Sequence, residues 1–526
     1  MASEIESSQR AMWAGVEPGA APSRPAPVQP EVKGPPRLEP VNRQQMVWRT
    51  VDVERLIEED HPARAIWALV GNLDLSAFHQ SIGAVEGKAG RPALDPQLLI
   101  SLWIYAYSRG VSSAREIARW CEFDPAYQWL TGLEPVHYHS LSDFRVGHQA
   151  ALDKLFTQVL GLLSAEGLVT LKRVMHDGTK VKAAAGVDTF RREETIRTHL
   201  EMARQQVEEM GDPRNEEWSR RVAKAREWAA RERQQRLQLA KKELEKLRAT
   251  KSSVEAKQEA RVSETDPEAR TMKQSDGGFA PSYNVQLSTD AAEGIIVGVG
   301  VSQSGSDYGQ LAPAVEKVEE NLGRAPEQVV VDGGFTSRET ILDMDDRGVD
   351  MIGSIGDGGA KAAAQFERRG VDPAFRPEVF TYHPESDTCT CPAGKVLAHE
   401  GKERRPGVTR HQYRAPAADC AACPFKGKCC PHTAASGRMV VRSEEDPAVA
   451  AFRAKMQTEE AKQIYRQRGP VAEFPNAWIK VKIGLRQFRL RGLLKVTMEA
   501  TWACLTYNIQ QWIRLCRRRK PVLGTT

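Results

Sequence analysis

Residues Pro326 to Ser337 read PEQVVVDGGFTS. Val329, Val330 and Val331 lie between turn-forming residues, and a short β-branched run of this kind predicts a buried strand rather than a helix. Parallel strands covered on both faces are almost wholly apolar, so the run suits a central position in a sheet. Asp332 closes the strand at its carboxyl end, where open α/β sheets place their ligands. Gly333 and Gly334 let the chain turn there without a Cβ clash. A second such strand is predicted over Val169 to Asp177, VTLKRVMHD, again ending in an aspartate and followed by Gly178. Either aspartate alone would serve to cap a turn. Two strands that each bring a carboxylate to one sheet edge predict a divalent-metal site.

The whole sequence bounds this reading. At 526 residues the chain has room for two to four domains with real cores. Apolar residues make up 41% and charged residues 27%, as in a globular protein with polar extensions. A net charge of +5 permits a nucleic-acid partner without requiring one. Runs of eighteen apolar residues are missing, and the start, MASEIESSQRAMW, lacks the pattern of a secretory signal; no membrane role is expected. The nine cysteines cluster late in the chain, which suits a reducing compartment and a metal site better than a disulfide frame. A cytoplasmic location is expected.

Residues 1–45, rich in Pro, Ala and Gly, cannot bury enough apolar surface to offset their ordering entropy and are expected to be disordered. An all-α domain is predicted over 46–168. Within it Asp95 caps and Pro96 opens the apolar helix LLISLWIYAYSRG, and Ser113 precedes a short amphipathic helix with Glu116 near its third position. Short helices at this spacing, with Arg115, Arg119, His137, His139 and Arg145 around them, fit either a helix-turn-helix array that binds DNA or a plain helical bundle with solvated cations. Trp103, Trp120 and Trp129 read as core.

The remainder, 169–526, reads as one α/β domain with two insertions. Residues 188–262 are dominated by strong helix formers, with a break at Gly211-Asp212-Pro213 and a thin apolar seam of Leu237, Leu244 and Leu247. This predicts a projecting helical hairpin, either a solvated arm or a surface for DNA or a partner subunit. Tyr283–Leu287 and Ile295–Val301 predict a β-hairpin, followed by a helix, the Asp332 strand, a second helix and a short strand at Met351–Gly353. Strand, hairpin, helix, strand, helix, strand is the order of a ribonuclease H-like core, in which the first and fourth strands are neighbours.

Residues 375–440 form a cysteine-rich insertion. Cys391, Cys420, Cys423 and Cys429, with Cys389 and Cys430 as spares, have the spacing of a structural zinc site or are reduced cysteines in a small β-rich unit. Beyond it, Glu473 stands in a run of cations, Tyr465, Arg466, Arg468, Lys480 and Lys482 among its neighbours, with Phe474 and Trp478 interleaved. Such a run suits a helix that grips phosphates. Asp307 is a rival acidic residue that also reads as an acid at a helix start, and Glu499 is a weaker alternative to Glu473. The closing Arg517-Arg518-Arg519-Lys520 reads as a solvated tail.

VMHDGTKVKAAAG, VVVDGGFTSRETI and YRQRGPVAEFPNAWIKVK, in that order, resemble bacterial insertion-sequence DDE transposases. GRPALDPQLLISLWIYAYSRGVSSAREI is similar to the N-terminal domain such transposases carry, and the resemblance runs from Val51 to Trp512. The third block resembles the tyrosine-arginine-glutamate-lysine signature of one branch. Tyr465-x2-Arg468 and Glu473-x6-Lys480 fit it, while four residues rather than three separate Arg468 from Glu473, which leaves Arg466 as an alternative to Arg468. The cysteine insertion also occurs in the sub-branch the sequence most resembles.

The resemblance implies a catalytic triad of Asp177, Asp332 and Glu473 holding two Mg²⁺ or Mn²⁺ ions. It implies cleavage at terminal inverted repeats and transfer of the cut strand into target DNA. Arg468 and Lys480 would position phosphates, Tyr465 would touch DNA near the cut, and Arg115, Arg119 and Arg145 would serve the DNA-binding domain. Double-stranded DNA, and a second copy of the chain at synapsis, are the implied partners; no small-molecule substrate is implied. Two other readings use the same residues differently: a ribonuclease H-like nuclease without strand transfer, and a catalytically inactive, domesticated DNA-binding protein.

Overall fold

The computed structural model describes residues 43–519 except 45, 47, 49, 86, 88–91, 211–219, 355–357 and 433–435. The segment expected to be disordered, 1–45, lies almost wholly outside them, as do the expected break at 211–213 and Lys520. Packing divides the chain into Met1–Val51 and Asp52–Thr526. Of the first unit only a few residues near Val51 are described, and Met46 and Trp48 among them are exposed.

The second unit opens on helices α1 (Pro62–Gly71), α2 (Pro96–Ser108), α3 (Ala114–Phe123), α4 (Pro125–Thr131), α5 (Tyr138–Gly147) and α6 (Gln149–Ala165). Their starts follow the capping residues in the sequence. Asp95 Oδ1 accepts from Gln97 N at 2.8 Å with Pro96 in the first turn, and Asp124 caps α4 with Pro125 behind it. Helix α2 is apolar all round, and Leu99 to Tyr107 are buried almost without exception, so it forms the centre of the bundle.

Strand β1 (Val174–Lys182) starts the sheet. It is followed by β2 (Arg270–Lys273), β3 (Phe279–Asp290), β4 (Ile296–Ser302), α9 (Leu311–Leu322), β5 (Gln328–Val331), α10 (Arg338–Asp346) and β6 (Asp350–Gly353). The strand order is β2-β3-β1-β5-β6, with β4 paired to β3 beside β2. Strands β1, β5 and β6 run parallel, and β3 runs antiparallel to β1 and β4. The first strand differs from the expectation over Val169–Asp177: it begins five residues later and continues through Asp177 and Gly178 to Lys182, paired to β3 all the way. Gly178 is a strand residue, not a turn.

The segment between β1 and β2 is the expected helical hairpin, α7 (Glu193–Met210) against α8 (Arg220–Ala249). Glu193 meets Arg248 near one end and Gln206 meets Arg233 further along, so the two helices run antiparallel. Ile196, Leu200, Leu237 and Leu244 fill the seam. Glu243, 1% exposed, ties α8 to the sheet through Arg270 at 2.5 Å and through Gln303 at 3.3 Å.

The cysteine-rich insertion is β-rich. Strands β7 (Thr381–His383), β8 (Thr388–Thr390), β9 (Val396–Arg405), β10 (Val408–Arg414) and β11 (Met439–Glu445) form an antiparallel sheet in the order β11-β10-β9-β8-β7. Helices α11 (Pro447–Gln457), α12 (Glu459–Arg466), α13 (Arg468–Val481) and α14 (Leu493–Arg519) complete the chain. Helix α14 carries Trp502, Leu505, Tyr507 and Ile509 into one core shared with the N-terminal helices and with β1, β3 and β4. Packing is therefore continuous across residue 168. Among the described residues no helix is long and apolar enough to cross a membrane.

Candidate active site

The parallel register pairs Val174 with Val329 and Met175 with Val330. Two residues past Met175 stands Asp177, still within β1, and two residues past Val330 stands Asp332, just beyond the end of β5. Side chains alternate along a strand, so Asp177 shares a face with Met175. Met175 and Val330 pack against Ala461, Ala472 and Tyr465, which puts α12 and α13 over that face. The VVV run and the central sheet position expected for it both hold, since Val329 to Val331 are at most 1% exposed.

Asp177 is held by α13. Asn476 Nδ2 donates to Asp177 Oδ2 at 2.9 Å, and Arg468 stands 3.6 Å from Oδ1. Burial pushes the Asp177 carboxyl up to about 6 against the pull of the Arg468 guanidinium, and the nearby Asp332 and Asp307 carboxylates add to the rise. Burial also pulls the Lys480 amine down, opposed by the charge of Asp177. A carboxylate taken out of water beside a second one, with two cations drawn toward it, is a site that lacks positive charge.

On the other face of β1, His176 is fully buried between Ser288 Oγ and Gln286 Oε1, each at 2.9 Å. Burial depresses it to about 4, so it is a neutral strut under the site.

Glu473 lies on α13 one turn before Asn476 and on the same side of the helix, since residues three apart are neighbours there. It is exposed, and its carboxyl reaches back over Gly469. Among the described residues it shares no hydrogen bond or ion pair with either aspartate, and no three His, Cys, Asp or Glu side chains form a group that could hold a metal ion. Glu499, the weaker alternative, is excluded from the site: it is 0% exposed and accepts from the backbone N–H groups of Arg489 and Leu490.

Tyr465 is half-buried and lines a cavity of about 490 Å³ with Arg466, Lys462 and Ser354. In the helical region Arg115 and Arg119 are exposed one turn apart on α3 and border a groove of about 840 Å³ with His137, Tyr138 and Asp143. Arg115 stands 5.1 Å over the Tyr138 ring. Arg145 is a correction. It is 5% exposed, lies 4.6 Å over the Trp103 ring and donates to Ser112 O at 2.9 Å, so it holds the bundle together and cannot face DNA. Arg517 and Arg518, expected as a solvated tail, are exposed at the end of α14 and border a groove of about 580 Å³ with Arg109, Arg514 and Trp478.

Cys391, Cys420, Cys423 and Cys429 do come together, with Cys430, around an apolar cavity of about 30 Å³. Burial pushes the Cys429 thiol up to about 12 and raises Cys430 as well. With no three-ligand group among the described residues, the expected zinc insertion is not supported.

The sequence did not single out Asn476, which is uncharged within a run of cations. Its spacing from Glu473 and Lys480, three and four residues, was the available signal.

Residues 390–513 match a family model described as Transposase DDE domain, and residues 51–146 match one described as Transposase domain (DUF772). Both are transposase domains. The first match takes in Arg468, Glu473, Asn476 and Lys480; the second takes in α1 to α4 and most of α5. No curated protein matches the chain. A DDE domain implies polynucleotidyl transfer, DDE transposases generally use divalent metal ions, and transposases bind DNA.

Proposed function

We propose that this chain is an insertion-sequence transposase of the branch with the tyrosine-arginine-glutamate-lysine signature. It cuts DNA at the terminal inverted repeats of its element and joins the cut ends to target DNA. The observation that carries the reading is Asp177 on β1 and Asp332 just past the end of the adjacent parallel strand β5, with Asn476 of α13 bonded to Asp177 and Lys480 beside it. The strand order, with β1 between β3 and β5, supports a ribonuclease H-like core.

The donor set fits Mg²⁺ or Mn²⁺. Such ions take carboxylate oxygens, and Mg²⁺ is commonly held by one or two carboxylates plus waters and substrate phosphate. Asp177 and Asp332 supply the two carboxylates, and Asn476 Oδ1 is a buried oxygen with no partner beside them. Two such ions, when bound, would activate the attacking hydroxyl and stabilise the leaving oxygen. Arg468 neutralises Asp177 in the DNA-free protein and turns to a phosphate once a cation takes over that charge. Lys480, half-buried beside Asp177, holds the next phosphate. Glu473, one helical turn or roughly 5 Å along α13 from Asn476, closes the site when the helix settles on DNA. Tyr465 and Arg466 line a cavity at the end of β6 that receives the nucleotide next to the cut.

Arg115 and Arg119 bind the repeat, and the arginine-lined groove from Arg109 to Arg518 carries the backbone toward α13. Joining needs two ends held together, so the working form on DNA is at least a dimer.

The test is an in-cell assay in which a marked element with its native flanks is mobilised by the chain supplied separately. Excision and reinsertion by the wild type, and neither by Asp177→Asn, support the reading. Double-strand breaks without reinsertion would mark a nuclease, and no breaks at all an inactive DNA-binding protein.

A further inference from the structure

Asp307 lies in the loop between β4 and α9, where the sequence suggested an acid at a helix start. It does not cap that helix: α9 begins at Leu311 behind Gln310 and has no side-chain cap. Asp307 turns to the sheet instead. Its Oδ1 accepts from Asn284 Nδ2 at 2.8 Å and from Gln286 Nε2 at 3.1 Å, two amides of β3 that are 1% and 5% exposed.

Two glycines border it. A Cβ on Gly178, directly after Asp177, would stand 2.4 Å from Asp307 Oδ1. A Cβ on Gly334, two residues after Asp332, would stand 3.7 Å from Asp307 Oδ2 and 3.0 Å from Asp332 Oδ1. A side chain at Gly178 would drive Asp307 away, so this loop reaches the sheet edge because that Cβ is missing, while a Cβ at Gly334 would crowd Asp332 and only touch Asp307.

Asp307 Oδ2 and Asp332 Oδ1 therefore both border the empty Gly334 Cβ position, within about 7 Å of each other, and among the described residues Oδ2 receives no hydrogen bond. A second oxygen lies beside the same carboxyl group. Asn284 Oδ1 is buried, has no partner, and lies 3.1 Å from the Gly178 Cβ position. Two carboxylates that border one space repel unless a cation lies between them, and a buried amide oxygen without a partner is costly unless something accepts its lone pairs. Water, Mg²⁺ or Mn²⁺ answers both, and two carboxylates are enough for such an ion.

We propose that Asp307 is a further carboxylate of the active site and shares a divalent cation with Asp332 before DNA arrives. This rests on the reading of Asp332 given under Proposed function. In the DNA-free protein, with Glu473 turned out to solvent, Asp307 is the acid that completes the grip on that ion.

The experiment is Mn²⁺ titration by calorimetry on the full chain without DNA, with the Mn²⁺-induced rise in melting temperature as a second readout. Wild type, Asp307→Asn, Asp332→Asn and the surface control Asp345→Asn are compared. Asn at 307 keeps an oxygen for the β3 amides, so the metal-free fold should be unchanged by circular dichroism. The expected result is that Asp307→Asn weakens Mn²⁺ binding about tenfold or more, with Asp345→Asn equal to wild type. Gly178→Ala, which crowds Asp307 without touching its charge, should weaken Mn²⁺ as well. Should Asp307→Asn fail to fold, Gly178→Ala decides, and wild-type affinity in it overturns the proposal. If Asp307→Asn binds as wild type while Asp332→Asn does not, the proposal falls and the active-site reading stands. If Asp332→Asn also binds as wild type, or the wild type binds no Mn²⁺, both fall.

Discussion

Asn476 Nδ2 donates to Asp177 Oδ2 at 2.9 Å, which pins α13 to the middle of β1 across 299 residues of sequence. The bond fixes which side of α13 faces the sheet, and Lys480, one turn further on, stands near enough to Asp177 to feel its charge. Asn476→Ala should lower stability by about 2 kcal/mol, as expected for losing a hydrogen bond to a charged group. Its larger effect should fall on DNA cleavage, with Asn476→Asp worse still because it adds a third negative charge. Urea denaturation and a cleavage time course on the same preparations check both.

Asp177 costs the folded protein stability in the absence of metal. Its folded value is raised from 3.8 to about 6. Below 3.8 both states hold the proton and the cost vanishes; it grows as pH rises toward 6 and is full above that. Asp177→Asn should therefore stabilise the metal-free chain at pH 7 by on the order of 2 kcal/mol while abolishing activity. The gain should shrink as pH falls from 6 to 4, read from denaturation midpoints of wild type and variant in a chelator.

Arg145 and Arg115 should behave oppositely. Arg145→Ala removes a buried cation that stacks on Trp103 and eases the buried charge of Glu499, so it should cost about 3 kcal/mol of stability, and lysine should not restore it. Arg115→Ala with Arg119→Ala should leave the melting temperature alone and weaken DNA binding. Each lost phosphate contact should reduce the slope of log affinity against log salt by about 1. Salt-dependent binding titrations separate the two classes.

The hairpin depends on one buried carboxylate. Glu243 bonds Arg270 and Gln303 from near the C-terminal end of α8, so Glu243→Ala leaves Arg270 without its carboxylate partner and should cost about 3 kcal/mol. Limited proteolysis should then cut within α7 and α8 before it cuts the sheet.

Much of the architecture was legible because apolar patterning reports burial directly. The valines of β5, the all-apolar α2 and the thin apolar seam of the hairpin each fell where their chemistry put them. The first strand was misread because Gly178 resembles a turn residue, whereas it is glycine to admit Asp307. Nothing in the sequence distinguishes a glycine that turns from one that makes room. Arg145 was misassigned for a related reason, since an arginine on a short helix carries no mark of whether a tryptophan lies under it. That the strands of Asp177 and Asp332 are neighbours was readable from the order of the elements, while Asn476 and the inward turn of Asp307 depend on contacts between segments far apart in the chain.

The central claim is that Asp177 and Asp332 form one metal-dependent site for cutting and joining DNA. The most direct measurement uses purified protein, a labelled duplex carrying the element end, target plasmid and Mg²⁺, with wild type compared against Asp332→Asn. Asparagine keeps the shape and removes the charge. The account predicts that both proteins bind the duplex, that only the wild type nicks at the element end, and that the freed 3′-hydroxyl is joined to the plasmid. Cleavage and joining by Asp332→Asn at the wild-type rate would contradict it.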